Sequence, residues 1–123
     1  MSEIIVKQTT IAKEVSLKGV GLHTGKEVTL TFKPAAENQG YTFVRVDLEG
    51  SPVIEADANY VVNTQRGTVL EKRGVKIQTC EHVLAALVGL EIDNVSIELD
   101  ASEPPIMDGS AKFFLEALEK AGI

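Results

Sequence analysis

Two adjacent ionisable residues, Glu81 and His82, precede a run of apolar residues that extends to Leu87. Thr79 can cap a helix at this point, and the positive end of that helix favours an ionised Glu81 and a neutral His82. A metal ion requires a neutral imidazole, and a general base requires an ionised carboxylate. The pair therefore indicates metal-dependent hydrolysis, although the spacing alone favours a simpler alternative, a surface pair where a core helix begins.

A second segment, Gly19–Gly25, combines three glycines with a histidine, His23. Glycines at this density permit positive φ angles and close backbone approach. The spacing is G-x-G-x-x-x-G and a strand follows, which argues against a dinucleotide-binding loop. The segment predicts a tight hairpin with an exposed His23, and the alternative is a loop that lines a substrate site.

A third segment, Glu103–Ser110, contains two prolines followed by Asp-Gly-Ser. The prolines stiffen the chain, and the last three residues can turn it and cap a helix, so we interpret the segment as structural. Ser110 has no histidine nearby in the sequence, which argues against a serine hydrolase. Arg66 and Lys72-Arg73 are candidates for binding an anion, although surface charge is their simpler use.

The histidine count limits any metal site. The chain has two histidines and one cysteine, whereas catalytic zinc takes about three protein ligands. Only His23, His82 and an Asp, a Glu or Cys80 are available. A metal site in this chain is therefore either sparse or completed from outside it.

The composition excludes several classes of protein. The chain has 123 residues, which predicts one domain, and 44% of them are hydrophobic, which argues against disorder. Twelve basic and 18 acidic residues give a net charge of −6, which argues against nucleic-acid binding. The sequence predicts no transmembrane segment and no secretory signal. A single cysteine then favours the cytoplasm.

Apolar patterns predict the elements that must position these residues. Alternation of apolar and polar residues indicates strands, and Lys72-Arg73-Gly74 is typical of a hairpin turn. We expect the first helix to be buried, since it is apolar on every side after His82. Ser110 or Asp108 can cap the second helix. The predicted strands span 9–22, 27–33, 41–48, 54–62, 68–71, 75–78 and 94–100, and the predicted helices span 80–88 and 111–121.

These elements predict an α+β fold, in which a mostly antiparallel sheet carries two helices packed on one face. In the second predicted helix, an apolar stripe of Phe114, Leu115, Leu118 and Ala121 faces the core, and Gly122 ends the helix.

The order of the motifs resembles one enzyme family. GVGLHTG, a strand followed by KPA, TCEHVLAALVGLEIDNVSIELD and SEPPIMDGSAKFF follow one another between about Lys7 and Gly122. This arrangement is similar to that of the UDP-3-O-acyl-N-acetylglucosamine deacetylases, zinc enzymes of the lipid A pathway. The resemblance implies two similar α+β domains with the active site between them. By this resemblance, residues 1–123 form the N-terminal domain, and the second catalytic domain is absent from the chain.

The resemblance also implies roles for individual residues. His82 matches a zinc ligand, and Glu81 matches the general base that activates the zinc-bound water. The remaining His and Asp ligands of Zn²⁺, a further catalytic His and most of the acyl-chain passage would come from the second domain in cis. Leu22, His23 and Thr24 match a loop near the active site and are candidates for substrate binding. The segment 64–68, with Arg66 and Gly67, departs from the family pattern, so its contacts are not predicted.

We therefore expect the N-terminal domain of a cytoplasmic, zinc-dependent amidohydrolase. The substrate implied is a UDP-linked acylated amino sugar, UDP-3-O-(3-hydroxyacyl)-N-acetylglucosamine, which would lose its N-acetyl group. Two alternatives stay open: a non-catalytic binding module on the same scaffold, and a metal hydrolase that acts on another N-acyl sugar.

Overall fold

A computed structural model describes residues 8–64 and 67–123 and contains two sheets and two α-helices over those ranges. A short 3-10 turn, Ala58–Tyr60, separates the fourth and fifth strands. The strands are β1 (Val15–Val20), β2 (Glu27–Pro34), β3 (Tyr41–Arg45), β4 (Val53–Glu55), β5 (Val61–Thr64), β6 (Gly67–Lys72), β7 (Val75–Ile77) and β8 (Val95–Leu99), and the helices are α1 (Glu81–Gly89) and α2 (Lys112–Ala121).

The larger sheet has five strands in the order β1-β2-β8-β3-β4, and only the β3–β8 pair in it is parallel. Its inner face carries one apolar row across all five strands, because Ile97 pairs with Phe32 on one side and with Phe43 on the other. Val15 and Ile54 continue the row to the two edges. The strict alternation along β2 and β8 therefore places every second side chain in the core, as the sequence predicts.

Both helices contribute to the core on the inner face of this sheet. The ring of Phe114 meets that of Phe32 edge-on, with centroids 6.5 Å apart. Helix α2 buries Phe114, Ala117, Leu118 and Ala121 and ends at Gly122, whose φ of +79° suits glycine. The predicted α+β fold, with a mostly antiparallel sheet and two helices on one face, is confirmed.

Helix α1 differs from its prediction. It buries Val83, Ala86 and Leu87, but Ala85 is exposed and Val88 is 64% exposed. The helix packs against the core on one side only. The prediction that α1 is buried on every side is therefore wrong for the described residues, because only one of its faces is covered.

The smaller sheet, β5-β6-β7, is antiparallel, and within the described residues none of its strands pairs with a strand of the larger sheet. Leu70 and Ile77 of the smaller sheet nevertheless belong to the same core. Arg73 and Gly74 have φ angles of +52° and +80°, so the predicted hairpin turn is confirmed. The prediction of a continuous extended segment over 54–62 is wrong, because Asp57 starts a turn: its side chain accepts a hydrogen bond from the backbone N–H of Asn59 at 2.9 Å.

Two further predictions need correction or qualification. The strand predicted over 9–22 begins only at Val15. In the part of the chain that the structure describes, no helix has the length and apolar character needed to cross a membrane. Residues 1–7, on which the secretory-signal prediction falls, lie outside the described residues.

Candidate functional site

Glu81 and His82 occupy the first turn of α1, where the sequence predicted them. Both are half-buried. No described residue forms a hydrogen bond with the imidazole of His82, so its nitrogens have no protein partner in 8–64 or 67–123. A half-buried imidazole in this state is suited to binding a ligand or a metal ion.

Strand β6 holds the carboxylate of Glu81. The backbone N–H of Thr68 donates a hydrogen bond to Oε2 of Glu81 at 3.1 Å. Gly67 lies against the same group: a Cβ at this position would be 2.7 Å from Oε1 of Glu81. The φ of Gly67 is +118°, which also favours glycine. The glycine thus gives the carboxylate room beside the strand.

Cys80, one of the ligand candidates, is turned away from any such site. It is fully buried, and its Sγ donates to the carbonyl oxygen of Thr68 at 3.4 Å. Burial, with a smaller contribution from the charge of Glu81, raises the pKa of the Cys80 thiol to about 12. Because the thiol is fully buried and already bound to the backbone of β6, Cys80 is a core residue rather than a ligand.

Glu103 connects the glycine-rich loop to the start of α1. Its side chain has no exposed surface. Oε1 accepts hydrogen bonds from the backbone N–H groups of His23 at 2.8 Å and Thr24 at 3.2 Å. Oε2 lies 2.8 Å from Nδ1 of His23 and accepts a hydrogen bond from the Thr79 hydroxyl at 2.6 Å. One buried carboxylate thus binds the loop twice through the backbone and reaches the residue two positions before Glu81.

Opposing influences set the pKa of Glu103. Burial is the largest single one and raises the pKa. The hydrogen bonds from Thr79, from the ring of His23 and from the two backbone N–H groups lower it, and together they outweigh burial. The net pKa lies below the ordinary value of 4.5, so Glu103 is ionised near neutral pH. The donors replace the water that a buried carboxylate loses.

Close packing explains two of the loop glycines. A Cβ on Gly21 would lie 2.6 Å from Oε1 of Glu103, and a Cβ on Gly19 would lie 2.8 Å from Cβ of Pro105. The backbone N–H of Ile106 also donates to the carbonyl of Val20 at 2.8 Å. The glycine-rich segment Gly19–Gly25 and the segment Glu103–Ser110 therefore pack directly on each other.

The prediction that Thr79 caps α1 is wrong. Cys80 occupies the N-cap position, and no side chain of a described residue makes a capping hydrogen bond there. The Thr79 hydroxyl is instead engaged with Glu103, and Thr79 has a φ of +52°. The carboxylate of Glu103 thus binds the hydroxyl that would otherwise cap α1.

The cap predicted for α2 is displaced by one residue. The hydroxyl of Ser110 accepts a hydrogen bond from the N–H of Lys112 at 3.2 Å, whereas Ala111 is the N-cap residue.

The candidate loop residues differ in their surroundings. Leu22 is 56% exposed. His23 is an exposed residue, as predicted, although its ring is only 24% exposed because it is bound to Glu103. The hydroxyl of Thr24 accepts from the backbone of Lys26 at 3.2 Å within the turn. The structure joins this loop to Thr79 through Glu103, and no hydrogen bond between described residues joins it to Glu81 or His82.

The described basic residues that the sequence offered as anion-binding candidates do not add to this site. Lys72 forms an ion pair with Glu55 at 2.9 Å and lies over the ring of Tyr60, so it is a surface residue with partners of its own. Arg66 lies outside the described residues. Across 8–64 and 67–123, no group of three His, Cys, Asp or Glu residues could hold a metal ion.

Sequence reasoning missed two residues of this site, Glu103 and Gly67. We interpreted the segment that begins at Glu103 as structural only. A sequence feature that could have identified Glu103 is its place between the apolar strand β8 and two prolines. Both prolines are buried in the structure. Gly67 carried no signal, because its contact with Glu81 depends on how β6 packs against α1.

Comparisons with a family model and with individual known proteins point to the same enzyme family. Residues 8–123 match the family described as LpxC, UDP-3-O-acyl N-acetylglycosamine deacetylase. The chain is 53% identical over 120 residues to a bifunctional enzyme LpxC/FabZ of Chlorobaculum tepidum, covering 98% of this chain and 26% of that protein. It is 50% identical to a UDP-3-O-acyl-N-acetylglucosamine deacetylase of Myxococcus xanthus, covering 94% of this chain and 37% of that protein.

A third relative, the UDP-3-O-acyl-N-acetylglucosamine deacetylase of Chromohalobacter salexigens, is 47% identical over 97% of this chain and 39% of its own length. The chain thus spans between about a quarter and two fifths of the length of these relatives.

Proposed function

Because this chain belongs to the UDP-3-O-acyl-N-acetylglucosamine deacetylase family, we propose that it supplies the general base and one zinc ligand of a zinc-dependent deacetylase. The proposed substrate is UDP-3-O-(3-hydroxyacyl)-N-acetylglucosamine. Hydrolysis of its acetamide releases acetate and leaves a free amine on the sugar. This step belongs to lipid A biosynthesis, and the proposed compartment is the cytoplasm.

The observation that supports this proposal most is the pair at the start of α1. The carboxylate of Glu81 is held by the N–H of Thr68, while the adjacent imidazole of His82 has no partner among the described residues. A structural pair would use both groups for contacts within the domain, and among the described residues only Glu81 is used in this way. One oriented carboxylate beside one unengaged imidazole is instead suited to a general base beside a ligand.

The residues of this chain fit a zinc ion in part. His82 offers one nitrogen ligand, and no complete ligand set exists within the described residues. The relatives are more than twice as long as this chain. We propose that a second deacetylase domain, joined in cis, provides the His and Asp ligands that complete the site, together with an acid for the leaving amine.

The proposed roles follow from ordinary acid-base chemistry. A bound zinc ion supplies polarisation of the acetamide carbonyl and acidification of water. Glu81 takes the proton of the attacking water at its carboxylate. The N–H of Thr68 holds Oε2, and among the described residues Oε1 accepts no hydrogen bond, so we take Oε1 as the proposed proton acceptor.

We assign the exposed loop residues to the substrate. Leu22 presents an apolar side chain that is 56% exposed, which suits contact with an acylated sugar. His23 and Thr24 present polar groups on a loop that Glu103 anchors. The loop therefore has the rigidity that substrate positioning needs.

Two substitutions in the full-length enzyme test the roles of Glu81 and His82. Glu81→Ala should lower turnover about 10²- to 10⁴-fold, the usual contribution of a general base, while zinc stays bound. His82→Ala should reduce the zinc content. Glu116→Ala, an exposed glutamate on α2, is the control and should change neither.

Unchanged turnover in Glu81→Ala, or full zinc content in His82→Ala, would refute these assignments. Absence of deacetylation by the wild-type full-length protein would favour the non-catalytic binding module. Turnover of a different N-acyl sugar in preference to the UDP-linked one would favour the other metal hydrolase.

A further inference from the structure

The buried carboxylate of Glu103 contacts one nitrogen of the His23 ring and leaves the other nitrogen open to a ligand. Oε2 lies 2.8 Å from Nδ1 of His23, and the Thr79 hydroxyl already donates to the same oxygen. An ionised carboxylate only accepts hydrogen bonds. An unprotonated Nδ1 at this distance would place two lone pairs against each other, so Nδ1 carries the proton.

We propose that Glu103 is a positioning residue that fixes His23 in its Nδ1–H form and leaves Nε2 as the nitrogen available to substrate. No described residue forms a hydrogen bond with Nε2, and the ring is 24% exposed. In the neutral ring, Nε2 accepts a hydrogen bond, for example from a sugar hydroxyl. The substrate contact rests on the proposed deacetylase function, whereas the state of the ring does not.

The same carboxylate fixes the position of the ring as well as its protonation. Oε1 accepts from the backbone N–H groups of His23 and Thr24, so the loop cannot slide relative to Glu103. The hydroxyl of Thr79 lies 3.2 Å from Nδ1 and links the ring to the residues that lead into α1. Ring, loop and helix start are therefore held by one buried group.

Replacement of Glu103 by glutamine reverses this arrangement. The single amide oxygen of glutamine can still accept from the two backbone N–H groups. The amide nitrogen then faces Nδ1 of His23 and donates to it, which requires an unprotonated Nδ1. The proton of the neutral ring should move to Nε2, so Nε2 changes from acceptor to donor.

Long-range ¹⁵N NMR of the histidine rings in the 123-residue chain measures this directly. The wild type at a pH where the ring is neutral should show Nδ1–H, and Glu103→Gln should show Nε2–H. Thr79→Val should keep Nδ1–H, because the contact between His23 and Glu103 remains. Glu98→Gln, a carboxylate on β8 paired with Lys33 at 3.0 Å, is the matched control and should also keep Nδ1–H.

Kinetics of the full-length enzyme give the second readout. Glu103→Gln should lower kcat/KM about tenfold or more. In a His23→Ala background the same change should have little further effect, since both act through one nitrogen. A merely structural Glu103 would lower kcat/KM equally in both backgrounds.

The outcomes are separable. Wild type with Nε2–H refutes the proposal even if Glu103→Gln does not fold, and so does an unchanged tautomer in folded Glu103→Gln. If Glu103→Gln lowers kcat/KM equally in the wild-type and His23→Ala backgrounds, Glu103 does not act through His23 in turnover. A wild-type enzyme without deacetylase activity overturns the proposed function, while the NMR result for Glu103 and His23 still decides the state of the ring.

Discussion

Replacing Gly67 by alanine is expected to displace the carboxylate of the proposed general base. A Cβ on Gly67 would lie 2.7 Å from Oε1 and 3.1 Å from Oε2 of Glu81. Ordinary contact begins at 3.4 Å, so Oε1 must move by about 0.7 Å. Glu81 can move more easily than the strand, because its carboxylate is the far end of a flexible side chain.

The displacement should affect turnover more than stability. Misplacement of a catalytic group by about 1 Å can cost about 10²-fold, so a shift of this size should lower kcat about 10- to 100-fold. The φ of +118° at Gly67 adds a stability cost of about 1–3 kcal/mol for alanine. Weakening of the Thr68–Glu81 hydrogen bond acts in the same direction.

Gly74→Ala is the matched control. Gly74 also has a positive φ, +80°, but a Cβ there would meet no atom of a described residue within 4 Å. Kinetics of the two full-length variants with the deacetylase substrate, together with their urea unfolding midpoints, separate strain from displacement. Both variants should lose stability, and only Gly67→Ala should lose turnover. A Gly67→Ala enzyme that keeps more than about half of wild-type kcat would refute the reasoning, as would an equal loss in Gly74→Ala.

Two further predictions concern the chain as a domain. Glu103 has a folded pKa below its unfolded value of about 4.5, so its ionisation stabilises the fold above that pH, and this contribution is lost as the pH falls through the lower folded value. Urea midpoints of the wild type should therefore fall more steeply below about pH 4.5 than those of Glu103→Gln, and parallel curves would contradict this. The 123-residue chain should fold alone but bind zinc substoichiometrically and show no deacetylation, because His82 alone cannot hold catalytic zinc. Metal analysis and a turnover assay test this, and stoichiometric zinc with activity would overturn it.

Local patterns were sufficient for most of the elements. Val28, Leu30 and Phe32 alternate with polar residues along β2, and a period of two with one apolar face has few structural alternatives. The hairpin at Arg73-Gly74 and the end of α2 at Gly122 were equally local, because each depends on a positive φ that glycine adopts without cost. The position of Glu81 and His82 in the first turn of α1 followed from the same kind of pattern.

Pairing between distant strands could not be predicted in this way. The parallel pairing of β3 with β8 joins Phe43 to Ile97, more than fifty residues apart. The division of the strands into two sheets likewise depends on which edges meet after the chain collapses. Alternation specifies which face of a strand is buried and carries no information on the neighbouring strand.

The sequence by itself determined most of the elements, the buried faces of β2 and β8 and the identity of the Glu81-His82 pair, because these depend on residues within a few positions of one another. Only the tertiary structure decided that Thr79 gives its hydroxyl to Glu103 instead of capping α1, that Gly67 makes room for Glu81, and that the ring of His23 is bound through Nδ1. Each of these contacts joins segments far apart in the chain. A buried carboxylate takes whichever donors the packing brings within reach, and no local pattern records which ones those are.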